Sequence, residues 1–372
     1  MEKKPLLLVG YFGFGNLGDE EALRIFTERL CARGIPYRVL SRSGERKGGR
    51  AVTRRDLLSL KKAICGSSAM VAVGGNLLQS ESSFRSLLCY AVLFSYAEKR
   101  GIPLFLYGGG IGGFRDGRSE RIVRHLLPRF SYLGLRTAED LLAVKAWIPG
   151  GSRCRATPDL CFSLPEKDAK KENLLLLIPR KRSVGDPWLG ELMRSAPAMG
   201  WRIVIAAFHP KEDGAVLSRL AARYGAGFFA PRSYEEFARV CAVARISVSE
   251  RFHGGVFSLL CHTPCRLLTA SDKCRRLCDT VEALAPEEGL LCPFRNYREV
   301  TERMRDMYAS DKAKKAGTGC SRAAEGVANE GLPSADKKET GDGVSGFSRV
   351  ISLLRTAEEE SFNECLRLWE EG

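Results

Sequence analysis

Short apolar runs alternate with longer amphipathic ones along nearly the whole chain, and no other feature limits the fold as much. PLLLVGYF reads as a strand and DEEALRIFTERLCARG as a helix stopped by a glycine. PYRVLSR, SSAMVAVGG, IPLFLYGGGIGGF and FSYLGLRT are further strand-length runs, set apart by helical stretches such as SFRSLLCYAVLFSYAEKRG and AEDLLAVKAW. Strands that are apolar on both faces, with a helix between one and the next, imply a parallel sheet covered on both sides. The rhythm pauses at the polar stretch SLPEKDAKKEN and resumes with LLLLIP, GWRIVIAAF, ARISVSE and TPCRLLTA. The chain is therefore expected to be α/β, with one Rossmann-like domain over 1–164 and a second over 165–306. Residues 307–346 are rich in Lys, Gly, Ala and Ser and poor in large apolar side chains, and are expected to form a disordered insertion. An amphipathic helix over 347–372 is expected to pack back on the first domain.

Composition narrows the class of protein. With 44% hydrophobic and 27% charged residues, the chain has the balance of a soluble globular protein. No apolar run reaches the roughly 18 residues that a membrane span needs. The apolar part of the opening MEKKPLLLVGYFGFG is too short and too glycine-rich for a signal peptide, and reads as the first buried strand of a cytoplasmic protein. The 13 cysteines are odd in number and scattered, as expected of reduced thiols rather than a disulfide framework. A formal net charge of +14 favours acidic partners. The basic residues are spread widely, without aromatic interleaving or a nucleic-acid motif. They therefore point to an anionic membrane surface or a phosphate-bearing substrate, and away from nucleic acid.

In open parallel sheets, ligands sit at the carboxyl ends of strands. The glycines Gly13, Gly15 and Gly18 of GYFGFGNLGDEEA follow the first strand and spell the dinucleotide-binding pattern G-x-G-x-x-G. Asp19, Glu20 and Glu21 then occupy the first helical turn, where they suit the helix dipole but repel a diphosphate. Two more glycine loops, Gly74-Gly75-Asn76 and Gly108-Gly109-Gly110, follow later strands, and together the three predict a broad floor for a sugar chain or a large phosphorylated donor. In the second half, Ser249-Glu250-Arg251-Phe252-His253 ends a strand and opens a helix, which suits anion binding and proton transfer. Lys273 follows the next strand at the same edge. Cys261, His262, Cys265, Cys274 and Cys278 lack the paired C-x-x-C spacing of a zinc site and read as core residues, so no metal is expected.

Taken together these segments resemble the polysaccharide pyruvyl transferase family, and within it the bacterial branch that pyruvylates cell-wall polymer for S-layer anchoring. The matching pieces are GYFGFGNLGDEEAL, GGNLLQSESSFRSLLCYAVLFSYAEKRGIPLFLYGGGIG, LGLRTAEDLL, TPDLCFSLP, ERFHGGVFSLLCHTPC and TASDKCRRLCDTV. The resemblance implies a GT-B-like fold of two Rossmann-like domains facing across a cleft. It implies an enzyme, a transferase that uses phosphoenolpyruvate as co-substrate, without a cofactor, to form a pyruvate ketal on a lipid-linked, N-acetylmannosamine-containing saccharide. The site residues follow from that chemistry. His253 is the expected general acid and Asp19 the expected base. Arg136, Arg251 and Lys273 are expected to bind the donor, and Asn16, Gly75, Asn76 and Gly110 the acceptor. Work at the inner face of the cell membrane, in peripheral contact with anionic lipid, fits the positive charge. A GT-B glycosyltransferase using a nucleotide sugar is the competing reading. The family usually carries a small or aliphatic residue where this chain has Gly254 and Gly255.

Overall fold

The computed structural model describes residues 4–42, 51–53, 56–81, 83–148, 153–269, 271–286, 288–315 and 345–371. The chain divides into two compact units, one of Met1–Leu164 with Ser352–Gly372 and the other of Pro165–Ile351.

The first unit is built on seven parallel strands: β1 (Leu6–Val9), β2 (Tyr37–Ser41), β3 (Ala51–Thr53), β4 (Ala69–Val73), β5 (Leu104–Gly109), β6 (Tyr132–Leu135) and β7 (Cys154–Ala156). Their order in the sheet is β3-β2-β1-β4-β5-β6-β7. Every strand runs parallel to its neighbours, so each connection between paired strands is a crossover rather than a hairpin. The helices are α1 (Leu17–Ala32), α2 (Leu57–Cys65), α3 (Phe84–Lys99), α4 (Gly117–Leu126) and α5 (Ala138–Trp147). The central strands β1 and β4 are buried along their whole length, as strands covered on both faces must be.

The second unit repeats the pattern with β8 (Glu172–Ile178), β9 (Arg202–Ala206), β10 (Gly227–Phe229), β11 (Ala244–Ser249), β12 (Cys265–Leu268) and β13 (Leu291–Phe294), in the order β10-β9-β8-β11-β12-β13. Its helices are α6 (Pro187–Ala198), α7 (Ala215–Arg223), α8 (Tyr234–Cys241), α9 (Phe252–Leu260), α10 (Asp272–Leu284) and α11 (Tyr297–Lys315). In both sheets the order reverses beside the first strand of the unit, which opens a crevice at the carboxyl ends of the central strands. Gly254 lets α9 lie close on β11: a Cβ there would overlap the Ser249 hydroxyl.

The C-terminal helix α12 (Gly346–Glu371) packs on the first unit from Ser352 onward. Arg355 donates to the carbonyl oxygens of Phe162 and Leu164 at 3.1 and 2.9 Å. Glu358 is fully buried between Arg29 and the Tyr107 hydroxyl. Phe362 meets Phe26 edge-on, with ring centroids 5.4 Å apart.

One boundary differs from expectation. Helix α11 runs on to Lys315, so the start of the segment expected to be disordered is helical. Lysine and alanine, which dominate DKAKK, are good helix formers and extend a helix already nucleated on the core. The rest of the expected insertion, 316–344, lies outside the described residues. Among the described residues, no helix is long and apolar enough to cross a membrane.

Candidate active site

In the first unit, the loops after β1, β4, β5 and β6 converge at the carboxyl edge of the sheet. Asn16 caps α1 with extended backbone, and its side-chain amide donates to the Asp19 carboxylate one turn on. Asp19 is buried, with 8% of its surface exposed. The other two acids of that turn have internal duties. Glu20 accepts from the Gly13 amide at 2.7 Å, and Glu21 pairs with Arg24 at 2.7 Å. The Gly13 amide, one of the groups a pyrophosphate would use, is thus already taken by a carboxylate. A diphosphate at this loop would have to displace that carboxylate.

Gly75 adopts φ +68°, and a Cβ there would sit 3.6 Å from Asp19 Oδ1, so the glycine backs directly onto the carboxylate. The Gly110 amide donates to the Gly75 carbonyl oxygen at 3.0 Å, and a Cβ on Gly110 would touch Asn76 at 3.7 Å. Asn76 donates to the Gly112 carbonyl oxygen at 3.3 Å, while its own buried Oδ1 accepts no hydrogen bond from the described residues. The structure therefore gathers Asn16, Asp19, Gly75, Asn76 and Gly110 into one patch with a carboxylate and an unused amide oxygen. Such a patch accepts hydrogen bonds, which is what sugar hydroxyls require. Arg136 lies at its border. Its Nη2 is 3.1 Å from Asp159 and its Nε donates to the Gly108 carbonyl oxygen at 3.1 Å, bracing the loops after β5 and β7. Asp159 also caps the turn that follows it, accepting from the Cys161 amide at 3.0 Å.

In the second unit, three adjacent strands β8, β11 and β12 deliver basic groups to one edge. Arg251 is the N-cap residue of α9, with its amide donating to Ser249 Oγ at 3.0 Å. Its guanidinium pairs with the buried Asp213. His253 lies buried in the first turn of α9, set against the ring of Phe252 with centroids 5.2 Å apart. Lys273 lies in the first turn of α10, half-buried, and α10 packs on α9. Both helices point their N-terminal, positive ends to this edge. Cys261, Cys265, Cys274 and Cys278 are buried in the core around α9, β12 and α10. Burial pushes the Cys265 thiol up to about 12, so it stays protonated and inert at neutral pH.

Two residues at this edge escape the sequence reading. Arg180 follows β8 and is half-buried, with its Nε shielded and unbonded. His209 follows β9, is buried, and accepts through its carbonyl oxygen the amides of Glu212 and Asp213, both at 2.9 Å, which fixes Asp213 against Arg251. Arg180 stands in IPRKRS, a basic run that reads as a solvated strand end. Its position two residues past a strand terminus is the available signal.

Solved structures share this architecture at low identity. S. aureus MnaA bound to UDP matches with a TM-score of 0.55 and 10% identity, over 83% of this chain and 89% of that chain. An alpha-glucosyltransferase in complex with UDP and DNA matches with a TM-score of 0.53 and 9% identity, over 99% of this chain and 100% of that chain. Anabaena HepE in complex with UDP and glucose matches with a TM-score of 0.51 and 11% identity, over 100% and 98%. These likenesses establish the fold as GT-B-like and nothing about substrate. No curated protein matches the chain in sequence. The model of one family does, over residues 24–272, a span that holds the two later glycine loops, Arg136, Arg180, Arg251 and His253. With that match across most of both sheets, the chain belongs to the polysaccharide pyruvyl transferase family.

Proposed function

We propose that this protein transfers the pyruvyl group of phosphoenolpyruvate to two neighbouring hydroxyls of a sugar in a lipid-linked, N-acetylmannosamine-containing cell-wall precursor, as in the S-layer-anchoring branch. The observation that carries the reading is Arg251-x-His253 at the mouth of α9: a fixed cation two residues from a buried imidazole, where a strand ends.

The reaction adds one acceptor O–H across the enol double bond, expels phosphate and closes the ring with the second hydroxyl. One hydroxyl proton ends on the methylene carbon, which becomes a methyl group, and the other leaves with phosphate. His253 serves as the acid that protonates the methylene carbon. Arg136, Arg251 and Lys273 hold the donor's carboxylate and phosphate. Fixed cations there stabilise charge as the phosphate departs. Asp19 takes the proton of the attacking hydroxyl, and Asn16 holds Asp19 in place. The open amide oxygen of Asn76, with the flat backbone at Gly75 and Gly110, seats the sugar.

The test mixes purified protein, phosphoenolpyruvate and a synthetic lipid-linked N-acetylmannosaminyl disaccharide. Phosphate release with a pyruvate-sized gain in product mass is expected. Release of a nucleoside diphosphate from a nucleotide sugar, without reaction of phosphoenolpyruvate, would replace this reading with the glycosyltransferase one.

A lipid-linked acceptor also requires the enzyme to work at a membrane surface. The support for this is a groove of about 490 Å³ between α3 and α4, lined by Phe84, Leu88 and Ile122 and edged by Arg118, Arg121 and His125. Val92, on the same helix as Leu88, is 67% exposed. Apolar side chains ringed by arginines match an anionic bilayer. Each basic residue at such a surface contributes about 1 kcal/mol. The double variant Arg118→Glu/Arg121→Glu is expected to lose co-sedimentation with phosphatidylcholine vesicles containing phosphatidylglycerol. Retention at wild-type level would remove this face from membrane contact.

A further inference from the structure

Strands β8 and β11 are neighbours, with Ile178 opposite Ser249 at their carboxyl ends. Two residues further along each chain stand Arg180 and Arg251. The segments stay together beyond the sheet. The Glu250 amide donates to the Ile178 carbonyl oxygen at 3.0 Å, and Asp213, which pairs with Arg251, also accepts from the Lys181 amide at 3.1 Å. Each of the two arginines has an Nε that is shielded from solvent and makes no hydrogen bond with the described residues.

Of the nearby acids, Asp213 and Glu212 lie against Arg251, the latter at 3.9 Å, and Glu250 is engaged by other partners. Glu250, itself buried, accepts from the Tyr297 hydroxyl at 2.7 Å and the Ser183 hydroxyl at 2.8 Å, and stands 3.8 Å from Arg182. Asp213 is held by Arg251 and the Lys181 amide, and Glu212 lies 3.8 Å from Lys181. Arg180 makes no ion pair with any described residue. Its guanidinium is held below its ordinary proton affinity by burial first, and then by the like charges of Arg251 and Arg182. A shielded cation facing another cation is unfavourable in the empty protein, and an anion between them removes the penalty.

We infer that Arg180 and Arg251 form a two-arginine clamp for the phosphate group of the donor, with Arg180 a donor-binding residue in its own right. The name of the donor rests on the pyruvyl-transfer reading; the phosphate chemistry does not. Planar guanidiniums offer paired N–H donors to a tetrahedral oxyanion, and the charge of Arg180, which pairs with no described carboxylate, adds to the attraction for a dianionic phosphate over a singly charged carboxylate.

The experiment titrates the full chain with inorganic phosphate, phosphoenolpyruvate and pyruvate, following binding by calorimetry and thermal shift. Wild type is compared with Arg180→Gln and, as a second neutral replacement of similar length, Arg180→Met. Both phosphate-bearing ligands are expected to weaken by about tenfold or more in the variants, the range of a lost charge-assisted hydrogen bond. Any pyruvate binding should be unchanged. The empty variants should melt no lower than wild type, because an unfavourable charge has been removed. Wild-type affinity for phosphate in a folded variant, or no phosphate binding by wild type, would overturn the clamp. Phosphate binding that depends on Arg180 without phosphoenolpyruvate binding would keep the clamp and sink the pyruvyl-transfer reading. Turnover of phosphoenolpyruvate indifferent to Arg180 would do the reverse.

Discussion

Replacing His253 with alanine is expected to lower kcat for pyruvyl transfer by roughly 10²–10⁴-fold, the usual contribution of a positioned general acid. The argument is geometric. His253 sits in the first turn of α9, two residues after Arg251, at the carboxyl edge where the donor's cations gather. Protonation of the methylene carbon is the step that makes the neighbouring carbon electrophilic, and no other imidazole in this turn can replace it. Donor affinity should change little, since Arg180, Arg251 and Lys273 remain. The loss should therefore appear in kcat rather than KM. Phosphate release under saturating donor measures it, with circular dichroism to check folding. A variant retaining more than about a tenth of wild-type kcat would take His253 out of the proton transfer.

The second large effect lies away from the chemistry. Glu358 on α12 is fully buried, with its two oxygens each 2.7 Å from the Arg29 guanidinium and one also 2.5 Å from the Tyr107 hydroxyl. Burial pushes its carboxyl up, against the pull of Arg29 that holds it charged. Glu358→Ala leaves the Arg29 charge and the Tyr107 hydroxyl without their acceptor. Breaking such a pair is expected to cost about 3–5 kcal/mol, read as a lower urea midpoint. The triple replacement Arg29→Met/Tyr107→Phe/Glu358→Leu, which removes every polar partner, should recover most of it. A single variant within about 1 kcal/mol of wild type would show that α12 is held by its apolar face alone.

The chain's own pattern made much of this legible. Alternation of apolar strands with amphipathic helices implies parallel sheets, and the polar break after Phe162 marks where one sheet ends. The glycine loops and the Arg251-x-His253 element stand directly after strands, so their arrival at a carboxyl edge follows from topology alone. Short, irregular elements were less visible. Strand β3 has only three residues, and α2 carries apolar residues on an exposed face, including Leu57 and Leu58 at 68% and 71% exposure. Neither presents a period that a linear reading can detect.

Other features depend on which side chains meet. AEEES reads as a solvated acidic run, yet the pitch of α12 turns Glu358 inward with Ser361, Phe362 and Cys365, onto an arginine more than three hundred residues earlier in the chain. Of Asp19, Glu20 and Glu21, the sequence says only that three carboxylates share a turn. The fold assigns Glu20 to the Gly13 amide and Glu21 to Arg24, leaving Asp19 against Gly75. Arg180 looks like its neighbours Lys181 and Arg182 until β8 is laid beside β11. Period and turn chemistry are local properties that a linear pattern carries, and they determined the two sheets and the loops at their edges. The pairing of charges is a property of distance through space, and only the packed tertiary structure decided which of them are satisfied and which are left to hold a ligand.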